Sequence, residues 1–359
     1  MTRRANVIGV LTAGGDCPGL NACIRGVVGR AINTHGVEVV GIRNGWEGLM
    51  RGDTLPLTRQ SVRGIIGRGG TFLGTSRADP YVHGDGYASV RATIEANGIE
   101  TLVVIGGDGT LRSALRLAGE GLPVVGVPKT IDNDIAATDV TFGFDTAVQI
   151  ATEAIDRITT TAESHNRVML VEVMGRTKGW IATYAGIAAG ADAILVPEVE
   201  VDVEAIAGVL RTRHRHGSTY SVVVVAEGVH LPARAEGTGA AGGGGAAGGA
   251  TMQGIDAFGF ERLGGVAYRL APLIEELTGF ETRVTVLGHI QRGGTPSALD
   301  RVLATRFGAA AADFAVAGQS GVMVALQGTR MVAVPLADAC SEIRGVDPAL
   351  FDVARTFFG

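Results

Sequence analysis

The chain has 359 residues, 55 of them glycine, about twice the usual share, and its 46% hydrophobic and 19% charged content excludes a disordered protein. Glycine follows no three-residue period and proline numbers only 11, which excludes a collagen-like chain. The net charge of -5 comes without any Lys/Arg-rich run, so there is no nucleic-acid footprint, and no apolar stretch of about 18 residues is present to span a membrane.

Short β-branched runs predict strands at 6–12, 37–42, 101–105, 123–127, 167–173, 193–196, 219–226, 281–287 and 321–327. Helical patterns at 20–34, 86–97, 145–163, 202–213, 259–277 and 298–317 fall between most of them. Such alternation predicts an α/β fold of βαβ units with mostly parallel sheets, whose ligands lie beyond the carboxyl ends of the strands. The first apolar run is too short for a signal peptide and reads as a strand. Cys17, Cys23 and Cys340 form no CxxC pair and no Cys/His cluster, so neither disulfides nor a zinc site are expected, and the protein is expected to be cytoplasmic. The run GTGAAGGGGAAGG (237–249) carries no reactive side chain and is expected to be a flexible surface insertion.

Five strand-end loops concentrate the chemistry. AGGDCPGLN (13–21) suits either a phosphate seat at a helix N-terminus or a plain turn with an Asp cap. IGGDGT (105–110) adds a carboxylate: Asp108 suits Mg2+ bridging phosphate oxygens, and Gly109 keeps side-chain bulk away from a phosphate chain. VPKTIDND (127–134) brings Lys129 beside Asp132 and Asp134, a charged loop able to supply a general base. Its lysine stands out, because Lys129 and Lys178 are the only two lysines in the chain. VEVMGRTKG (171–179) and VLGHIQRGG (286–294) each place an arginine beside glycine, a fork that fits phosphate bidentately, and Arg167 and Arg283 stand at strand starts.

Together with GGTFLGTSR (69–77) and AEG (226–228), these loops resemble the phosphofructokinase family in order and spacing over nearly the whole chain. The resemblance implies two Rossmann-like three-layer α/β domains. Residues 1–143 plus about 291–341 would bind nucleotide; 144–290 plus about 342–359 would bind the sugar phosphate and contain the 237–249 insertion. It further implies that Gly15, Arg77, Gly107, Asp108, Gly109 and Thr110 bind nucleotide, with Asp108 on Mg2+. Asp132 would be the general base, with Gly109, Lys129 and Arg176 also in the catalytic group. Thr130, Ile131, Asp132, Arg167, Met174, Gly175, Arg176, Glu227, Arg283, His289, Ile290, Gln291 and Arg292 would contact fructose 6-phosphate. Arg167 and Arg283 are expected to reach a neighbouring subunit's site, which implies a homo-oligomer, a tetramer or a dimer. Effector control is left open by the resemblance.

The implied activity is phosphorylation of fructose 6-phosphate at its 1-hydroxyl by Mg-ATP. Gly109 favours ATP, because the pyrophosphate-using branch carries an Asp there that would repel the α-phosphate; Lys129 is a feature shared with that branch, so pyrophosphate is the alternative donor. Sedoheptulose 7-phosphate as acceptor remains open. A non-catalytic sugar-phosphate or nucleotide-binding regulator would be expected to lack Asp108, Asp132 or Arg176, all of which are present.

Overall fold

The computed structural model describes residues 6–82, 84–232 and 263–358. From the N-terminus the chain forms β1 (Val7–Thr12), α1 (Leu20–Arg30), β2 (Glu38–Ile42), α2 (Gly45–Arg51), β3 (Thr54–Leu57), α3 (Gly86–Ala96), β4 (Thr101–Gly106), α4 (Asp108–Gly119) and β5 (Val124–Pro128). Next come α5 (Phe144–His165), β6 (Val168–Val173), α6 (Trp180–Ala188), β7 (Ala193–Leu195), α7 (Val203–Arg215), β8 (Ser221–Ala226), a helix at Val266–Thr278 and β9 (Thr282–Val286). A helix at Ala298–Val316, β10 (Val322–Gln327), β11 (Arg330–Pro335) and a helix at Pro348–Arg355 complete the order. Two compact units result: Met1–Thr146 with Arg292–Arg344, and Ala147–Gln291 with Gly345–Gly359. The 237–249 insertion and the first residues of the helix predicted at 259–277 lie outside the described residues; within them that helix starts at Val266.

The first unit holds a seven-stranded sheet ordered β11-β10-β5-β4-β1-β2-β3. Its five inner strands run parallel, while β3 and β11 close the two edges antiparallel. The inner runs TLVVIG and VVGVP are buried at every residue, as parallel strands covered on both faces must be. Leu102 and Val104 of β4 join a core with Val90 and Ile94 of α3 and Leu111, Ala114 and Leu117 of α4. On the other side, helix Ala298–Val316 packs against β1, β4 and β5 and against α1. That helix pair is close because Gly308 faces the Cys23 carbonyl and Gly26 faces the Thr305 carbonyl, with no room for a side chain at either. Between β1 and β4 the connections diverge, β1 leading outward to β2 and β4 leading the other way to β5. Such a switch point opens a crevice at the strands' carboxyl ends, where ligands of this fold class bind.

The second unit carries a parallel four-stranded sheet ordered β7-β8-β6-β9. Helix Val266–Thr278 lies along β6 and β9, and α6 lies along β7 and β8. The buried carboxylate of Glu172 in β6 accepts N–H groups of Gly265 (2.7 Å) and Ala267 (2.9 Å), capping the Val266–Thr278 helix from within the sheet. No helix among the described residues is long and apolar enough to cross a membrane.

Candidate functional site

In the first unit, three loops follow β1, β4 and β5. Ala13 N–H donates to the Ile105 carbonyl (3.0 Å), joining the first two where the strands end. Gly14 N–H donates to the Ser76 carbonyl (3.0 Å) and its own carbonyl accepts Thr75 Oγ1 (2.6 Å), so the 69–77 segment fixes the first loop from outside. Lys129 ties the third loop in: its Nζ donates to the Gly15 carbonyl, and burial pushes its pKa down. Arg292 also lies in this unit, its Nη1 donating to the Asp16 carbonyl at 3.2 Å. Cys17 is buried in the first loop, and burial pushes its thiol up to about 12. All three cysteines are buried and free.

Helix α4 starts directly after Gly107, with Asp108 in its first turn. No side chain caps it, so the backbone N–H groups of this end are available to an anion. Asp108 pairs with Arg112 one turn on (2.9 Å), a partner that the motif did not signal. One further turn along the same face, the Arg116 guanidinium lies 3.7 Å from the centre of the Tyr81 ring. Thr110 is buried, with its side chain filling the space beside Gly106. At Gly109 a Cβ would meet nothing within 4 Å. Arg77 is exposed.

The third loop holds a buried acid. Asp132 is 4% exposed, and its Oδ1 meets no hydrogen-bond donor among the described residues. Its backbone N–H donates to Thr130 Oγ1 (3.0 Å). Asn133 adopts φ 52 and turns its side-chain oxygen to the Thr141 N–H (3.0 Å), while Thr141 Oγ1 donates to the Thr130 carbonyl (2.8 Å). Ile131 is fully buried. Next to the loop, Asp300 accepts N–H groups of Gly143 and Thr146 (both 2.8 Å), fixing where α5 begins; burial raises its pKa above the usual carboxylate value.

In the second unit, loops follow β6, β8 and β9. Gly175 (φ 142) and Arg176 (φ 52) put the β6 loop in backbone conformations that a non-glycine residue seldom takes. Arg176 is held there: its N–H donates to Glu227 Oε1 (2.9 Å), and the Glu227 N–H donates to the Val173 carbonyl (2.9 Å). Strain of this kind, held by specific contacts, is characteristic of ligand clamps. Glu198 closes the far end by accepting Gly179 N–H (3.1 Å) and Val346 N–H (3.1 Å). Gln291 is fully buried and its amide is engaged at both ends, with Met174 N–H (3.3 Å) and with the Gly288 carbonyl (3.0 Å). His289 and Ile290 are exposed beside it.

Gly228 touches the Arg176 carbonyl so closely that any side chain would overlap it. Replacement of Gly228 by alanine is therefore expected to displace the Arg176 backbone and destabilise the chain by about 1–3 kcal/mol, the cost of overpacking. An unchanged melting temperature would contradict this placement.

Arg167 and Arg283 are elsewhere. They stand at the amino ends of β6 and β9, and both pair with Glu281, Arg167 at 2.9 Å. The Arg167 hydrogen bond, chiefly, holds the Glu281 carboxyl below its usual range. Parallel β6 separates Arg167 from Arg176 by roughly 20 Å, at about 3.3 Å per residue.

Among the described residues no three His, Cys, Asp or Glu side chains gather as a metal cluster. One carboxylate beside an open helix N-terminus suits Mg2+, which takes few protein ligands and fills its sphere with phosphate oxygens and water.

The sequence model of the family described as "Phosphofructokinase" matches residues 7–315. The pyrophosphate–fructose 6-phosphate 1-phosphotransferase of Streptomyces coelicolor is 52% identical over 353 residues, 98% of this chain and 99% of that protein. From the same organism, ATP-dependent 6-phosphofructokinase 3 is 51% identical over 352 residues, 97% of this chain and 98% of that protein. Among solved structures, Pichia pastoris phosphofructokinase in the T-state matches with a TM-score of 0.80 at 31% identity over 99% of this chain; the chain spans only 39% of that longer one.

Proposed function

Since the chain belongs to the phosphofructokinase family, we propose that it transfers the terminal phosphoryl group of Mg-ATP to the 1-hydroxyl of fructose 6-phosphate. The products are fructose 1,6-bisphosphate and ADP. The observation that carries the reading is Asp132: a buried carboxylate oxygen without a hydrogen-bond donor, on a fixed loop beside two phosphate-type loops at a sheet switch point. A buried acceptor left unpartnered costs stability and is explained by the hydroxyl it serves.

In this reading the Gly14–Gly15 loop and the α4 N-terminus, with Gly107 to Thr110 and Arg77, hold the donor phosphates. Asp108 would hold Mg2+, which would supply charge compensation for the donor phosphates. Asp132 accepts the 1-hydroxyl proton as that oxygen bonds to the terminal phosphorus and the bond to the β-phosphate oxygen breaks. Because the transition state is loose, most of the work is alignment and charge compensation, and Arg292, against the first loop, is the cation for it. Met174, Gly175, Arg176, Glu227, His289 and Ile290 bind the sugar phosphate, while Gln291 shapes their loops. Arg167 and Arg283, a strand's length away, serve a neighbouring subunit's sugar phosphate, so the enzyme works as a homo-oligomer. A cytoplasmic enzyme is part of this reading.

Donor choice cannot follow from overall likeness, because relatives named for either donor are equally similar. Local residues favour ATP. Gly109 leaves space for an α-phosphate beside Asp108. The flat Arg116–Tyr81 surface farther along α4 suits a nucleoside base, which pyrophosphate lacks. Lys129 donates to the Gly15 carbonyl and so braces two loops, a role compatible with either donor. Purified protein assayed with fructose 6-phosphate and either Mg-ATP or Mg-pyrophosphate is expected to turn over with ATP. Substantial turnover with pyrophosphate alone would reverse the donor assignment.

A further inference from the structure

Arg344 ends the first unit's returning segment, and four of its donors are directed at the main chain just after Asp132. Its backbone N–H donates to the Asp134 carbonyl (2.9 Å). Nη2 and Nε fork over the Asn133 carbonyl (3.0 and 3.3 Å), and Nη1 donates to the Thr138 carbonyl (2.6 Å). One residue earlier, Ile343 pairs with Ile135 in an isolated antiparallel bridge.

The segment held in this way needs holding. It belongs to no strand or helix, and Asn133 sits in the left-handed region. With its Oδ1 unpartnered, the Asp132 carboxylate takes its position largely from the backbone beneath it. Asn133 has spent its own side chain on Thr141, so its carbonyl is left for the guanidinium.

We infer that Arg344 is a positioning residue for the reaction: its guanidinium fixes the Asn133 and Thr138 carbonyls and thereby the approach of Asp132 Oδ1 to the acceptor hydroxyl. The inference rests on the reading of Asp132 as base. Lysine does not replace it, because a single ammonium lacks the planar fork that spans two carbonyls.

The test compares full-length Arg344→Ala, Arg344→Lys and Asp132→Asn with the parent, measuring kcat, KM for both substrates and the folded fraction by circular dichroism. Arg344→Ala is expected to lose about 10²-fold in kcat, the usual cost of a misplaced reacting group, with both KM values little changed. Arg344→Lys is expected to recover only part of the loss. Guanidinium ion at a low, non-denaturing concentration is expected to restore turnover to Arg344→Ala and leave the parent unaffected. The inference is overturned if folded Arg344→Ala keeps parental kcat, if its loss equals its unfolded fraction, or if guanidinium restores nothing. Asp132→Asn separates the two claims: normal turnover there sinks the base assignment, whereas an inactive Asp132→Asn beside a normal Arg344→Ala sinks only the positioning role.

Discussion

Asp132→Asn is expected to lower kcat by about 10²–10⁴-fold, the range that general-base removal produces. KM for fructose 6-phosphate should change little, because the amide keeps the size of the carboxylate and one acceptor oxygen while losing the charge and the ability to take a proton. The fold should be indifferent, since Oδ1 meets no donor among the described residues. Unchanged thermal melting beside a collapsed kcat is therefore the expected pair of results. A near-normal kcat would remove Asp132 from the chemistry.

Gly109→Asp is expected to have the second largest effect, and on the donor alone. A Cβ at this position meets nothing within 4 Å, so the substitution fits the folded chain. It sets a second carboxylate next to Asp108, against the α-phosphate that ATP brings. Opposed like charges of this kind cost several kcal/mol, and roughly 3 kcal/mol corresponds to about 10²-fold in kcat/KM. Use of ATP should fall by at least that much, while any activity with pyrophosphate, which has no α-phosphate, should persist. Parental kcat/KM for ATP in the variant would refute the donor seat.

The inner parallel strands were legible because burial on both faces writes them as unbroken apolar runs, as in TLVVI and VVGV. The edges were not. Strand β3 is the four-residue TLPL with a proline, and β11 is half exposed, so neither carries a buried-strand signal. The two-residue turn Gly328–Thr329 between β10 and β11, with Gly328 at φ 59, was the cue that would have found the hairpin. Helix α6 escaped because WIATYAGIA is apolar almost all round and shows no amphipathic period. The short α2 contains two glycines, a composition that argues against helix. The C-terminal helix was not predicted either, although Asp347 as cap and Pro348 in the first turn mark its start.

For the candidate site, strand-end glycines marked the loops, since close backbone approach leaves a mark in composition. The braces left none. Arg344, Glu198 and Asp300 act through ordinary hydrogen bonds to distant main chain, and in a chain where arginine supplies nearly all the positive charge a single arginine carries no signal. Gln291 and Lys129 likewise hydrogen-bond to neighbouring loops, partners that their motifs did not signal.

The most direct measurement of the central claim is the product itself, followed by phosphorus NMR in a mixture of the protein, Mg-ATP and fructose 6-phosphate. A new phosphate ester is expected at C1 of the sugar, growing in step with ADP and slowed by about 10²–10⁴-fold with Asp132→Asn. Release of inorganic phosphate without a sugar bisphosphate, or no consumption of ATP at all, would contradict it.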